Sequence, residues 1–245
     1  MLFRGLVLAA GKGSRFVDQD AAPMPKVLHL VLGRPMVCWV LDALRLAGIE
    51  DITLVVGYLA DEVISALGCS VRYAMQIHQR GSGDAVASAA GEFANFDGGV
   101  VVMCGDSPLF TADTLKAMMS AHTLSKAAVT LSVAELDDPS GYGRIQRDET
   151  GRISGVIEER CADDSQKAVR EVNGGAYVFD AKWLFDNIGL MAINDAGEYN
   201  LTDMVRVAVR QQRFIAEVGC DPSEIAGVNT PEELRRAEEL LRRRK

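Results

Sequence analysis

The chain has 245 residues with a formal net charge of −8, 48% hydrophobic and 24% charged residues, enough for one sizeable core. The acidic balance argues against a general nucleic-acid binder, and no apolar run reaches the roughly 18 residues that a membrane span needs. Cys38, Cys69, Cys104, Cys161 and Cys220 form no C-x-x-C pair and the three histidines show no metal-ligand spacing, which speaks against zinc and against a Cys–His nucleophile. Reduced thiols, and a first strand that leaves no room for a leader segment, predict a cytoplasmic protein.

In chain order, the apolar run Leu6-Val7-Leu8 predicts a strand that empties into Ala9-Ala10-Gly11-Lys12-Gly13-Ser14-Arg15. The glycines and their small neighbours let backbone N–H groups approach phosphate oxygens that a Cβ would obstruct. Lys12, Arg15 and Lys26 place three cations around the same point. A dinucleotide fingerprint would need glycine where Phe16 stands, and a P-loop would need Ser or Thr where Gly13 stands. Helices are expected over residues 35–48, 61–67, 83–93 and 111–124, alternating with strands at 52–56, 71–74 and 100–103. Such alternation implies parallel βαβ units in a doubly wound sheet.

The rhythm changes near Leu136. Residues 142–147 and 152–158 flank the turn sequence Asp148-Glu149-Thr150-Gly151, which predicts a hairpin. A strand over 174–180 and a helix over 201–212 follow. The last helix has a legible start, with Thr230 as N-cap, Pro231 in the first turn and Glu233 completing a capping box. The division expected is a nucleotide-binding part at 1–135, a mainly sugar-binding lobe at 136–228 and a C-terminal helix at 229–245.

Two later segments carry chemistry on their own terms. Gln76, ahead of Gly81-Ser82-Gly83, offers a donor and an acceptor that match the imide edge of uracil. Asp106 follows an apolar strand and a glycine, a position suited to holding Mg²⁺ near phosphates.

Together these segments resemble the signatures of sugar-1-phosphate nucleotidyltransferases. L-A-A-G-x-G-S-R with Pro25-Lys26, Q-x-x-x-x-G-S-G at 76–83, Gly105-Asp106, Asp138-Pro139-Ser140-Gly141-Tyr142-Gly143-Arg144, Glu171-Val172-Asn173, Glu198-Tyr199-Asn200-Leu201-Thr202-Asp203 and Gly227-Val228-Asn229 all match in order. The spacing is similar to that of the uridylyltransferase half of the bifunctional bacterial enzymes that make UDP-N-acetylglucosamine. Their second half, an acetyltransferase β-helix of hexapeptide repeats, has no counterpart in the sequence.

The resemblance implies a Rossmann-like, mostly parallel doubly wound sheet with an inserted β-hairpin lobe, and Mg²⁺-dependent transfer of UMP from UTP to N-acetylglucosamine 1-phosphate. UTP and the sugar phosphate are then the partners, with neither nucleic acid nor membrane involved. It implies catalytic roles for Arg15 and Lys26, and nucleotide contacts at Ala9, Ala10, Gly11, Gly13, Gln76, Gly81 and Ser82. Sugar contacts fall to Cys104, Gly141, Glu158, Asn173, Tyr199 and Thr202, and metal ligation to Asp106 and Asn229. Cys104, Cys161 and Gly174 depart from the family pattern, Gly174 in a way expected to loosen the sugar wall. Another sugar phosphate, a CTP-dependent phospho-alcohol or a non-catalytic sugar-nucleotide sensor stay as alternatives.

Overall fold

A computed structural model describes residues 1–13, 16 and 23–244. The first half runs β1 (Phe3–Leu8), a short hairpin of β2 (Leu30–Val31) and β3 (Arg34–Pro35), α1 (Met36–Leu46), β4 (Ile52–Val56), α2 (Ala60–Leu67), β5 (Arg72–Met75), α3 (Ser82–Ser88), β6 (Gly99–Cys104) and α4 (Ala112–Ser125). The second half runs β7 (Val129–Glu135), β8 (Arg144–Arg147), β9 (Ile153–Ile157), α5 (Asp164–Lys167), β10 (Glu171–Asp180), α6 (Ala181–Asn187), α7 (Asp203–Arg210), β11 (Ile215–Gly219) and α8 (Pro231–Arg243).

One sheet carries the fold, in the order β11-β7-β10-β6-β1-β4-β5. The pairs β1–β4, β1–β6 and β4–β5 are parallel, as the alternating elements predicted, and β7–β11 is parallel as well. β10 enters antiparallel between β6 and β7, so a strand from the second half stands in mid-sheet. The hairpin β8–β9 hangs from β10, with its turn closed by the Asp148 carboxylate accepting from the N–H groups of Thr150 and Arg152. Val100 to Met103 of β6 are each at most 1% exposed, since hydrophobic clusters cover both faces of the sheet.

Local chemistry sets the ends of the elements. α1 stops where Gly48 takes a left-handed conformation (φ 93°), and Ile49 N–H reaches back to Leu44 C=O. Its buried residues Met36, Val37, Val40, Leu41 and Leu44 follow helical spacing. The helix expected over 83–93 breaks: α3 ends at Ser88, and Ala90–Phe93 form a 3₁₀ turn around Gly91 that buries Phe93. Glycine is a weak helix former, and the tighter turn swings the phenyl ring into the core.

β7 and β11 have no counterpart in the sequence reading. Thr130 and Ser132 make β7 look half polar, yet both are fully buried because their hydroxyls are paired. Thr130 bonds His122 at 3.0 Å, and Ser132 exchanges two hydrogen bonds with the Ala176 backbone.

The capping box of α8 is shifted by one residue. Thr230 accepts from Glu233 N–H as expected, but the Glu233 carboxylate takes the N–H of Asn229 at 2.6 Å instead of that of Thr230.

Burial lowers the His122 pKa to about 4, because the charged imidazolium has no solvation inside the α4–β7 interface. The unfolded chain binds this proton near pH 6.5 and the fold does not, so stability drains away as pH falls from about 6.5 toward 4. The full shift corresponds to about 3 kcal/mol. The urea midpoint of the wild type should therefore fall between pH 7.5 and pH 5, with much of that fall missing in His122→Gln. An equal fall in both proteins would show that His122 is not the titrating group.

Candidate active site

Chain order turns back at β1. β4 and β5 are laid down on one side of it and β6 on the other, which opens a crevice beyond the carboxyl ends of β1 and β6. A cavity of about 670 Å³ lies there, lined by Ala9, Ala10, Gly11, Lys12, Lys26, Gln76, Gly81, Ser82, Cys104 and Asp106 among others. The loop base is tied to β4, since Ala9 N–H donates to Val55 C=O and Ala10 C=O accepts from Tyr58 N–H. Gly13 sits at φ +60°, where a Cβ would come within 2.6 Å of Lys26 Cβ. Its glycine is what lets the lysine stem lie against the loop. Arg15 lies outside the described residues.

The Lys26 ammonium donates to the Asp106 carboxylate and, at 2.8 Å, to Asn229 Oδ1, across sequence separations of 80 and 203 residues. Asn229 is held in this position through the backbone, by its own N–H and by that of Val228. Val228 N–H donates to Asp106 C=O, and Glu233 accepts the Asn229 N–H. Glu224, only 6% exposed, accepts from the Thr111 N–H and from the hydroxyls of Thr111 and Thr114 at the start of α4. The sequence reading missed Glu224; its signal, a carboxylate serving the first turn of another helix, is invisible along the chain.

Two hard oxygens, one anionic, converge on one cationic group, which is the donor chemistry of Mg²⁺ completed by phosphate and water. Asp106 and Asn229 therefore fit a magnesium site. Cys104 lines the same cavity, and desolvation with help from Asp106 pushes its thiol up to about 12. It is a neutral wall at ordinary pH, not a nucleophile.

At the other end of the cleft the 80–83 turn is clamped by the 199–201 segment. Gly83 N–H donates to Tyr199 C=O, Tyr199 N–H to Arg80 C=O, and Leu201 N–H to Ser82 Oγ at 3.0 Å. Gly81 has φ +97°, and a Cβ on it would stand 2.4 Å from the Tyr199 carbonyl oxygen. Tyr199 thus closes the glycine turn with its backbone, while its ring lies 5.5 Å from the Arg80 guanidinium carbon.

Of the six expected sugar residues only Cys104 lines the first cavity; Gly141, Glu158, Asn173, Tyr199 and Thr202 do not. Glu158 and Thr202 line a second one of about 570 Å³ together with Cys161, and Thr202 Oγ1 donates to Glu158 Oε1 at 2.7 Å. Asn173 Nδ2 donates to the Tyr177 hydroxyl at 2.6 Å, and Gly141 N–H to Glu159 at 3.2 Å. Arg144, 2% exposed, pairs with Glu159 at 2.7 Å and so anchors the turn that presents Gly141. Gly174 corrects its expectation: a Cβ there would lie 2.5 Å from Ser132 Oγ, so the space is filled by β7 and the wall is not loosened.

Residues 4–219 match the protein-family model described as nucleotidyl transferase. The chain belongs to the nucleotidyl transferase family. Among curated relatives, the bifunctional protein GlmU of Trichlorobacter lovleyi is 42% identical over 243 residues, and that of Pelotomaculum thermopropionicum 40% over 241. Each alignment covers 98% of this chain and 52% of the relative, so the chain spans about half the length of the curated relatives it matches. Two solved nucleotidyl transferase structures share the fold. A putative glucose-1-phosphate thymidylyltransferase from Bacillus anthracis superposes with a TM-score of 0.79 at 21% identity, covering 98% of this chain and 96% of its own. A UDP-glucose pyrophosphorylase complexed with UDP-glucose gives 0.78 at 18% identity, covering 100% of both chains. No helix among the described residues is long and apolar enough to cross a membrane.

Proposed function

We propose that this nucleotidyl transferase moves the uridylyl group of UTP onto N-acetylglucosamine 1-phosphate, releasing pyrophosphate. The observation that carries the reading is the convergence of Lys26, Asp106 and Asn229 at the phosphate loop, in one cleft with Gln76. The identity of about 40% with the bifunctional relatives across 98% of the chain supports it.

In this reaction an oxygen of the sugar phosphate attacks the α-phosphorus of UTP, and the bond to the bridging oxygen breaks with its electrons leaving on pyrophosphate. The nucleophile is already ionised, so no general base is required. The obstacle is repulsion: two like unit charges ~4 Å apart at an effective dielectric near 20 oppose each other by roughly 4 kcal/mol. Lys26 answers it by holding phosphate oxygens of both reactants, and Arg15 by taking the departing pyrophosphate. Mg²⁺, held by Asp106 and Asn229, supplies further charge neutralisation when bound. The loop amides from Ala9 to Gly13 cradle the triphosphate, and the turn at Gly81-Ser82 seats the base against Gln76. Residues 136–228 serve the sugar, with Glu158, Asn173 and Thr202 receiving its hydroxyls and phosphate.

The test is a pyrophosphate-release screen of UTP and CTP, with Mg²⁺, against a panel of sugar 1-phosphates and phospho-alcohols. Release should be fastest with UTP and N-acetylglucosamine 1-phosphate and should vanish when Mg²⁺ is chelated. Faster release from CTP with a phospho-alcohol would replace the reading, and no release from any pair would leave the cleft a sensor.

A further inference from the structure

Gln76 is 3% exposed and lines the cleft at its nucleobase end. Its Nε2 lies 2.8 Å from Asp84 Oδ2 and 3.2 Å from the Gly81 carbonyl oxygen. An ionised carboxylate and a peptide carbonyl can only accept, so the amide must turn its N–H₂ toward both of them. Among the described residues nothing donates to the remaining Oε1. Asp84 is itself held: Arg80 Nη2 pairs with its other oxygen at 2.9 Å, and the Asp84 side chain is 13% exposed. Each carboxylate oxygen therefore has a separate partner, one setting its position and one setting the glutamine.

We propose that Asp84 is a positioning residue for base selection, locking the Gln76 amide so that the cleft accepts a pyrimidine with a donating N3–H and refuses cytosine. This rests on the uridylyl-transfer reading above and adds a specific device to it. Uracil offers N3–H to the waiting Oε1. Cytosine carries a lone pair at N3, which would face that oxygen as acceptor against acceptor. Turning the amide over would satisfy cytosine, but it would drive Oε1 against both the Asp84 carboxylate and the Gly81 carbonyl. The discrimination is thus built from a penalty on the wrong base as well as a bond to the right one. Asp84→Asn removes the lock almost without changing shape, because an asparagine can present either its oxygen or its nitrogen to Gln76.

The experiment measures kcat/KM and calorimetric binding for UTP, CTP and N3-methyl-UTP, with Mg²⁺, in the wild type and in Asp84→Asn. The wild type should favour UTP over CTP by at least about a hundredfold and bind N3-methyl-UTP no better than CTP. In Asp84→Asn the UTP-to-CTP ratio should fall by about tenfold or more, chiefly through KM, with the melting temperature little changed. If Asp84→Asn does not melt cooperatively, Asp84→Ser, whose hydroxyl also donates or accepts, carries the same comparison. A preference for UTP that survives the substitution intact would overturn the lock while leaving uridylyl transfer standing. Equal use of UTP and CTP by the wild type, or no binding of either, would overturn the lock together with the reading beneath it.

Discussion

Lys26→Ala is expected to lower kcat/KM by about three orders of magnitude, at the upper end of what losing one preorganised charge in a water-poor site costs. The ammonium stands between the Asp106 carboxylate and Asn229 Oδ1 on the wall of the cleft, 11% exposed, and its stem is seated against Gly13. Among the described residues the one other lysine lining that cavity is Lys12, which is exposed and has no hydrogen bond to Asp106 or Asn229. The melting temperature should move by only a few degrees, since Asp106 is 26% exposed and water can replace the lost donor. Lys26→Arg should recover little, because a planar fork cannot occupy the space of a compact ammonium. Arg15→Ala should show a loss of similar kind. Near-normal turnover in both alanine variants would remove the phosphate clamp from the account.

The second large effect belongs to Asp106. Asp106→Asn deletes the only anionic oxygen of the Lys26–Asp106–Asn229 group and keeps its shape. Magnesium should then be needed at ten or more times its wild-type concentration for half-maximal rate, and kcat should fall by about a hundredfold. Manganese binding in the presence of UTP, followed by electron paramagnetic resonance, gives a readout that does not pass through turnover. It should weaken in parallel. An unchanged magnesium titration with unchanged manganese binding would show that the divalent ion is held elsewhere.

Much of this site is legible along the chain wherever a function is carried by neighbours in sequence. The loop after β1 and the Gly81 turn are such cases: glycine marks positions where the backbone takes a left-handed φ, at Gly13 (φ +60°) and Gly81 (φ +97°). Asp106 is legible because a strand end places it. The polar contacts that orient these groups are not. Glu224 reaches residue 111, Glu233 serves Asn229 and not its own N-cap, and Arg144 anchors a turn through Glu159. Asp84 acquires a meaning only beside Gln76 and Arg80. The hydroxyls of Thr130 and Ser132 in β7 each have a buried partner brought by another element, which no local pattern announces.

The amino-acid sequence by itself determined the alternating strands and helices, the phosphate loop and the family to which the chain belongs, because apolar period and glycine placement act over a few consecutive residues. Tertiary structure alone decided that β10 runs antiparallel in mid-sheet, that Lys26 bridges groups 80 and 203 residues away, and which way the Gln76 amide faces. Those outcomes depend on the order in which strands are laid side by side and on which buried polar atoms then meet, and no local pattern encodes either.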